Sequence, residues 1–191
     1  MPMVISSDDK VSTLYSHDYG NGLKLMEHSY IGNNFVNAVA SLIWETPKRV
    51  AWIGDYSDDY VGDPYEEKMD MDLFKTYYRM AWKEGHPFKV QPDAHQHDMA
   101  EWGLFLVNHS QQTYIDLDEF VSCNCPNNDG EPWIINPLPL LTACGNGRGG
   151  GDYHDSRPDY DIVGTWAFDK IEITHIRPDY EPVMYSFRED N

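Results

Sequence analysis

Asn33-Asn34-Phe35-Val36-Asn37-Ala38-Val39-Ala40-Ser41-Leu42-Ile43-Trp44-Glu45-Thr46-Pro47-Lys48-Arg49-Val50-Ala51-Trp52-Ile53-Gly54 decides the fold. Asn33 or Asn34 can cap a helix, because its side-chain oxygen accepts an orphan N–H of the first turn. Phe35, Val39, Leu42 and Ile43 then recur at helical spacing with Ala38 beside them, which makes one apolar face. Pro47 stops the helix, since the residue before a proline is pushed out of the α region. Residues 49–54 follow at once and read as a buried strand. A helix running directly into a strand predicts a layered α/β or α+β domain.

Toward the N-terminus, residues 1–22 are polar and read as an arm or a short strand, ending at Asp18, Gly20, Asn21 and Gly22. Toward the C-terminus, a loop with Gly62 and Pro64 leads into a second predicted helix over 71–84. Its apolar face is Leu73, Phe74, Tyr77, Met80 and Ala81, and Gly85 is a natural stop. Residues 86–100 read as an irregular connection. Segments 103–108 and 113–117 read as a hairpin around His109-Ser110-Gln111-Gln112, and 118–121 as a helical turn. Trp133-Ile134-Ile135 resembles a short strand. Asn136-Pro137-Leu138-Pro139-Leu140-Leu141 reads as neither regular helix nor central strand, because its prolines lack donors. Residues 162–168, 171–176 and 183–187 read as strands, the last two alternating as half-exposed antiparallel strands do. Two helices thus precede most of the strands. The expectation is a single α+β domain over 23–191, with two helices packed on a mainly antiparallel sheet.

Charge sets the function classes. The chain has 191 residues with 32 acids against 14 bases, a net charge of −18. DNA, RNA and anionic membranes repel such a chain, so direct nucleic-acid or membrane binding is not expected. Basic surfaces attract it, and these commonly belong to nucleic-acid-binding proteins. The plainer alternative is acidity that only keeps the protein soluble. The first ten residues lack the basic and apolar regions of a signal peptide, and no stretch approaches the about 20 apolar residues of a membrane span. Three cysteines suit a reducing interior better than a disulfide framework, so a cytoplasmic protein is expected.

The acids concentrate after Gly54. Asp55, Asp58, Asp59, Asp63, Glu66, Glu67, Asp70 and Asp72 face one base, Lys68, with Tyr56, Tyr60 and Tyr65 interleaved. Such a run imitates the charge density of a nucleic-acid backbone, and tyrosines are good interface anchors. Asp55, Asp58, Asp59, Tyr60, Asp63, Tyr65, Glu66 and Glu67 are therefore the candidate partner-binding residues. As acid–base catalysts the paired carboxylates are poor, because catalytic carboxyls are isolated in apolar surroundings.

The second candidate is Cys144-Gly145-Asn146-Gly147-Arg148-Gly149-Gly150-Gly151-Asp152-Tyr153-His154. Consecutive N–H groups in glycine-rich turns can cradle an anion, and Arg148 could clamp it. Gly147, Arg148, Gly149, Asp152 and His154 are thus the alternative ligand-binding residues. The stretch lacks the Lys-Ser/Thr ending of a phosphate-binding P-loop and the strand-to-helix context of a dinucleotide site. A structural loop, with Arg148 paired to Asp152 or Asp155, is the competing reading. Cys123, Cys125, Cys144, His95, His97, His109 and His154 could ligate metal. The single residue between the first two cysteines does not fit a structural zinc site, so no metal and no cofactor is expected. A Cys144-His154-Asp152 or Asp155 set has no support from spacing.

Three segments together resemble parts of a group of small uncharacterised bacterial and mobile-element proteins. They are Trp52-Ile53-Gly54-Asp55-Tyr56, Leu106-Val107-Asn108-His109-Ser110, and residues 136–153. The acidity resembles that of phage-borne anti-CRISPR inhibitors of Cas9-type nucleases. The resemblance implies a non-enzymatic inhibitor that blocks a basic, nucleic-acid-binding surface of a defence nuclease. It assigns no residue. The alternative is a small-ligand or phosphate-binding protein, or an enzyme, built on the loop around Arg148.

Overall fold

The computed structural model describes residues 1–54, 68, 72, 75–76, 78–79, 88–124, 134–145 and 162–185. It is an α+β fold built on one mainly antiparallel sheet of eight strands. These are β1 (Pro2–Ile5), β2 (Val11–Thr13), β3 (Lys48–Ile53), β4 (Phe105–Asn108), β5 (Thr113–Asp116), β6 (Ala143–Cys144), β7 (Lys170–Thr174) and β8 (Glu181–Pro182). The order is β2-β1-β3-β7-β4-β5-β8, with β6 beside β3. The β3/β6 and β5/β8 pairs are parallel; the others are antiparallel.

Four α-helices have described bounds, not the two expected: α1 (Leu25–His28), α2 (Asn34–Leu42), α3 (Leu117–Asn124) and α4 (Pro137–Leu141). Residues 72, 75, 76, 78 and 79 are helical as well, in the span of the second predicted helix. Asn33 caps α2 as its position suggested, its Oδ1 accepting from Phe35 N at 2.8 Å. Asp116 Oδ1 accepts from the backbone N–H of Asp118 and Glu119 at the start of α3. The prolines of 136–141 do not prevent a helix. Pro137 and Pro139 occupy the first turn of α4, where no intrahelical donor is needed, and Asn136 Oδ1 accepts from Leu138 N. Residues 1–22, read as an arm or a short strand, supply β1, β2 and a 3-10 turn (Ser16–Tyr19).

Each face of the sheet carries a core. On one face Val4, Val50, Trp52, Leu106, Ile115, Ile171 and Ile173 pack with Phe35, Val36 and Val39 of α2 and Leu138 and Leu141 of α4. On the other, Met3, Ile5, Ala51 and Ile53 pack with Tyr78, Cys144 and Phe168. The alternation of Val50/Trp52 against Ala51/Ile53 is the period of 2 that a strand buried on both sides requires.

Residues 162–168, expected as a strand, form turns instead. They end in a bulge at which Val50 meets two residues: Phe168 N donates to Val50 O at 2.7 Å, and Val50 N donates to Asp169 O at 3.1 Å. Phe168 has φ 64 while almost fully buried. That conformation is uncommon for a bulky side chain and is held here by the surrounding bonds. Of the strand expected over 183–187, residues 183–185 are not in a strand, and the pairing lies one step earlier at β8.

Candidate functional site

The β4–β5 hairpin and the bulge before β7 meet around a buried carboxylate. Asn108, at the end of β4, accepts from the N–H of Ser110 and Gln111 at 3.0 Å each and so shapes the turn. Its Nδ2 donates to Asp169 Oδ2 at 2.8 Å, and Gln111 Nε2 donates to the same oxygen at 2.7 Å. Asp169 is 2% exposed. Its other oxygen, Oδ1, faces Lys68 Nζ at 3.0 Å. Lys68 also donates to Thr165 O at 3.1 Å. Arg49 completes the anchorage, donating from one nitrogen to Lys68 O at 2.9 Å and to Phe168 O at 3.1 Å. A buried carboxylate needs this many donors to offset its lost hydration.

A second polar cluster lies beside it. His109 Nε2 is 2.6 Å from Glu172 Oε2, and its Nδ1 is 3.2 Å from the Tyr180 hydroxyl. Arg177 Nε donates to the Tyr114 hydroxyl at 2.9 Å, with the guanidinium over that ring. Residues 177–180 thus cross the sheet beside β4 and β5 before β8 pairs. Both ring nitrogens of His109 are engaged, so the cluster works as a fastening for that crossing.

The expected partner-binding residues Asp55, Asp58, Asp59, Tyr60, Asp63, Tyr65, Glu66 and Glu67 lie outside the described residues. So do Gly147, Arg148, Gly149, Asp152 and His154 of the glycine-rich alternative. What flanks both segments is described. The acidic run leaves the end of β3 and is tied down at Lys68. The glycine stretch leaves β6 through Gly145, whose φ of 78 requires a residue without a Cβ penalty. Cys144 is buried in the second core, His95 is exposed, His97 stacks on Trp44 and His109 faces Glu172. These candidates are therefore dispersed, and among the described residues no group of three or more His, Cys, Asp or Glu could hold a metal ion.

Other sites are simpler. An open depression of about 490 Å³ is lined by Lys10, Val11, Phe88 and Lys89 among others, but its lysines already face Asp8 at 2.6 Å and Asp18 at 2.7 Å. Sequence reasoning missed Asp169, Gln111, Glu172 and Tyr180. Asp169 follows a segment whose apolar residues imitate a strand, and no local pattern marks it. No helix among the described residues is long and apolar enough to cross a membrane. Comparison with protein-family models, curated proteins and solved structures finds no match to this chain.

Proposed function

We propose that the protein is a non-enzymatic acidic binding protein that covers a basic, nucleic-acid-binding surface of a partner by imitating the charge of a nucleic-acid backbone. A Cas9-type defence nuclease is the partner class that its acidity resembles. One observation carries the reading. Lys68, the only base between Asp55 and Asp72, turns inward to the buried Asp169, its side chain 28% exposed. The run's own lysine thus serves the fold, and the run's carboxylates are those we assign to an outside cation. Other bases are spent similarly: Lys10 on Asp8, Lys89 on Asp18, Arg49 on two carbonyls and Arg177 on Tyr114. The excess of 32 acids over 14 bases is thus a field presented to the outside.

The test is capture of a basic partner from a nuclease-containing host lysate at low and high salt. Charge reversal at Asp58, Asp59, Glu66 and Glu67 (each to Lys) abolishes capture, Arg148→Ala leaves it intact, and affinity falls at least about tenfold from low to high salt. Capture that ignores salt, or no basic partner at all, overturns the proposal. Loss on Arg148→Ala with the charge-reversed protein still active points instead to the glycine-rich loop and a small anionic ligand.

A further inference from the structure

Trp102 and Ile176 are the two most exposed large apolar side chains among the described residues, at 80% and 73%. They occur together. The β4/β7 register pairs Phe105 with Thr174, and beyond it His175 Nδ1 meets Gly103 O at 3.2 Å. This brings 102 and 176 to the same end of the sheet. The backbone beneath them is firmly held. Gly103 N donates to Asp118 Oδ2 at 2.9 Å, and buried Asn37 of α2 bonds both Asp98 and the N–H of Met99. A ring platform adjoins: Trp44 stacks on His97 with centroids 4.0 Å apart and meets His175 edge-on at 5.7 Å. A tryptophan held out on a fixed backbone costs little side-chain entropy on binding and is a favoured interface anchor.

Charge decides what covers this patch. Glu101 lies 3.9 Å from His175, Asp118 bonds under Gly103, and Glu45 stands exposed after Trp44. Arg177, the residue after Ile176, is committed to Tyr114. A second copy of this chain would bring −18 against −18, and anionic headgroups would meet the same repulsion. We infer that Trp102 and Ile176 form an aromatic anchor for a basic protein segment in which Lys or Arg flanks an apolar residue. The inference rests on the proposed function and adds to it a second contact, remote in sequence from the acidic run, that reads apolar content as well as charge.

The probes are a short oligolysine and a peptide of equal charge with leucines interspersed, titrated calorimetrically into the full chain at low salt. The wild type binds the leucine-bearing peptide about tenfold more tightly than oligolysine. The double variant Trp102→Ala/Ile176→Ser loses that preference and binds oligolysine as before. A preference that survives in the double variant, or none in the wild type, overturns the inference. So does a wild-type dimer in sedimentation that the double variant dissociates. Charge reversal at Asp58, Asp59, Glu66 and Glu67 reads the other proposal separately. If oligolysine binding survives it, the role of the acidic run fails while the Trp102 result stands.

Discussion

His28 takes a hydrogen bond from Trp52 inside the first core, indole Nε1 to imidazole Nε2 at 3.0 Å. The proton of the neutral ring therefore sits on Nδ1, which is buried without a hydrogen bond of ordinary geometry. Burial first, and the ammonium of Met1 second, push this imidazole down to about 3. The folded state refuses a proton that the unfolded chain accepts from its ordinary value of 6.5 downward. Stability is accordingly full above pH 6.5 and is lost as pH falls toward 3, by on the order of 4 kcal/mol at the end of that window. Urea denaturation across pH checks this against His28→Gln, which keeps an acceptor for Trp52. The two profiles should diverge between pH 6.5 and 4, and parallel profiles would contradict the assignment. Nothing in the sequence separates this histidine from His17 or His95. Its role comes from Trp52, 24 positions away.

At the level of elements, Asp169 joins the hairpin to the bulge. Asp169→Ala strands the buried Asn108 Nδ2 and leaves Gln111 Nε2 and the Lys68 ammonium with Thr165 O in place of a carboxylate, and should cost about 3 kcal/mol in chemical denaturation. Asn108→Ala removes one donor and the turn acceptor. The double variant should cost clearly less than the two single losses summed, because the residues share a bond; strict additivity would show that they act separately. The elements that were legible in sequence are those whose signal is local. The α2 cap, the 103–117 hairpin and the alternating β7 could be read because a side-chain oxygen, a turn or a period of 2 suffices to specify them. The bulge could not, since Phe168 adopts its φ only through bonds to Val50, more than a hundred residues earlier. The α4 helix was hidden by prolines whose meaning depends on position within the turn.

For the whole molecule, the charge of −18 is both the candidate function and a load on the fold. Self-repulsion at this density outweighs the screening of pairs such as Lys10 with Asp8, so thermal stability should rise by a few degrees between about 20 and 200 mM salt. A fall in the melting temperature would show that internal pairs dominate. The acidic run was legible as a candidate site because composition alone marks it. The inward turn of Lys68 was not, because its partner Asp169 is chosen by the fold.

The strand order also dictates a timetable. β3 lies between β1, from residues 2–5, and β7, from residues 170–174, so the middle of the sheet is assembled from the two extremes of the chain. On the ribosome, α2 and β3 emerge with the β1 flank satisfied, while on the other flank Trp52 and Ile53 wait for β6 at residues 143–144 and Lys48 and Arg49 wait for β7. Contacts so distant in sequence make folding slow, on the order of milliseconds to seconds. Until β6 and then β7 pair, that edge of β3 is open, and mutual repulsion among nascent acidic chains opposes the meeting of one such edge with another.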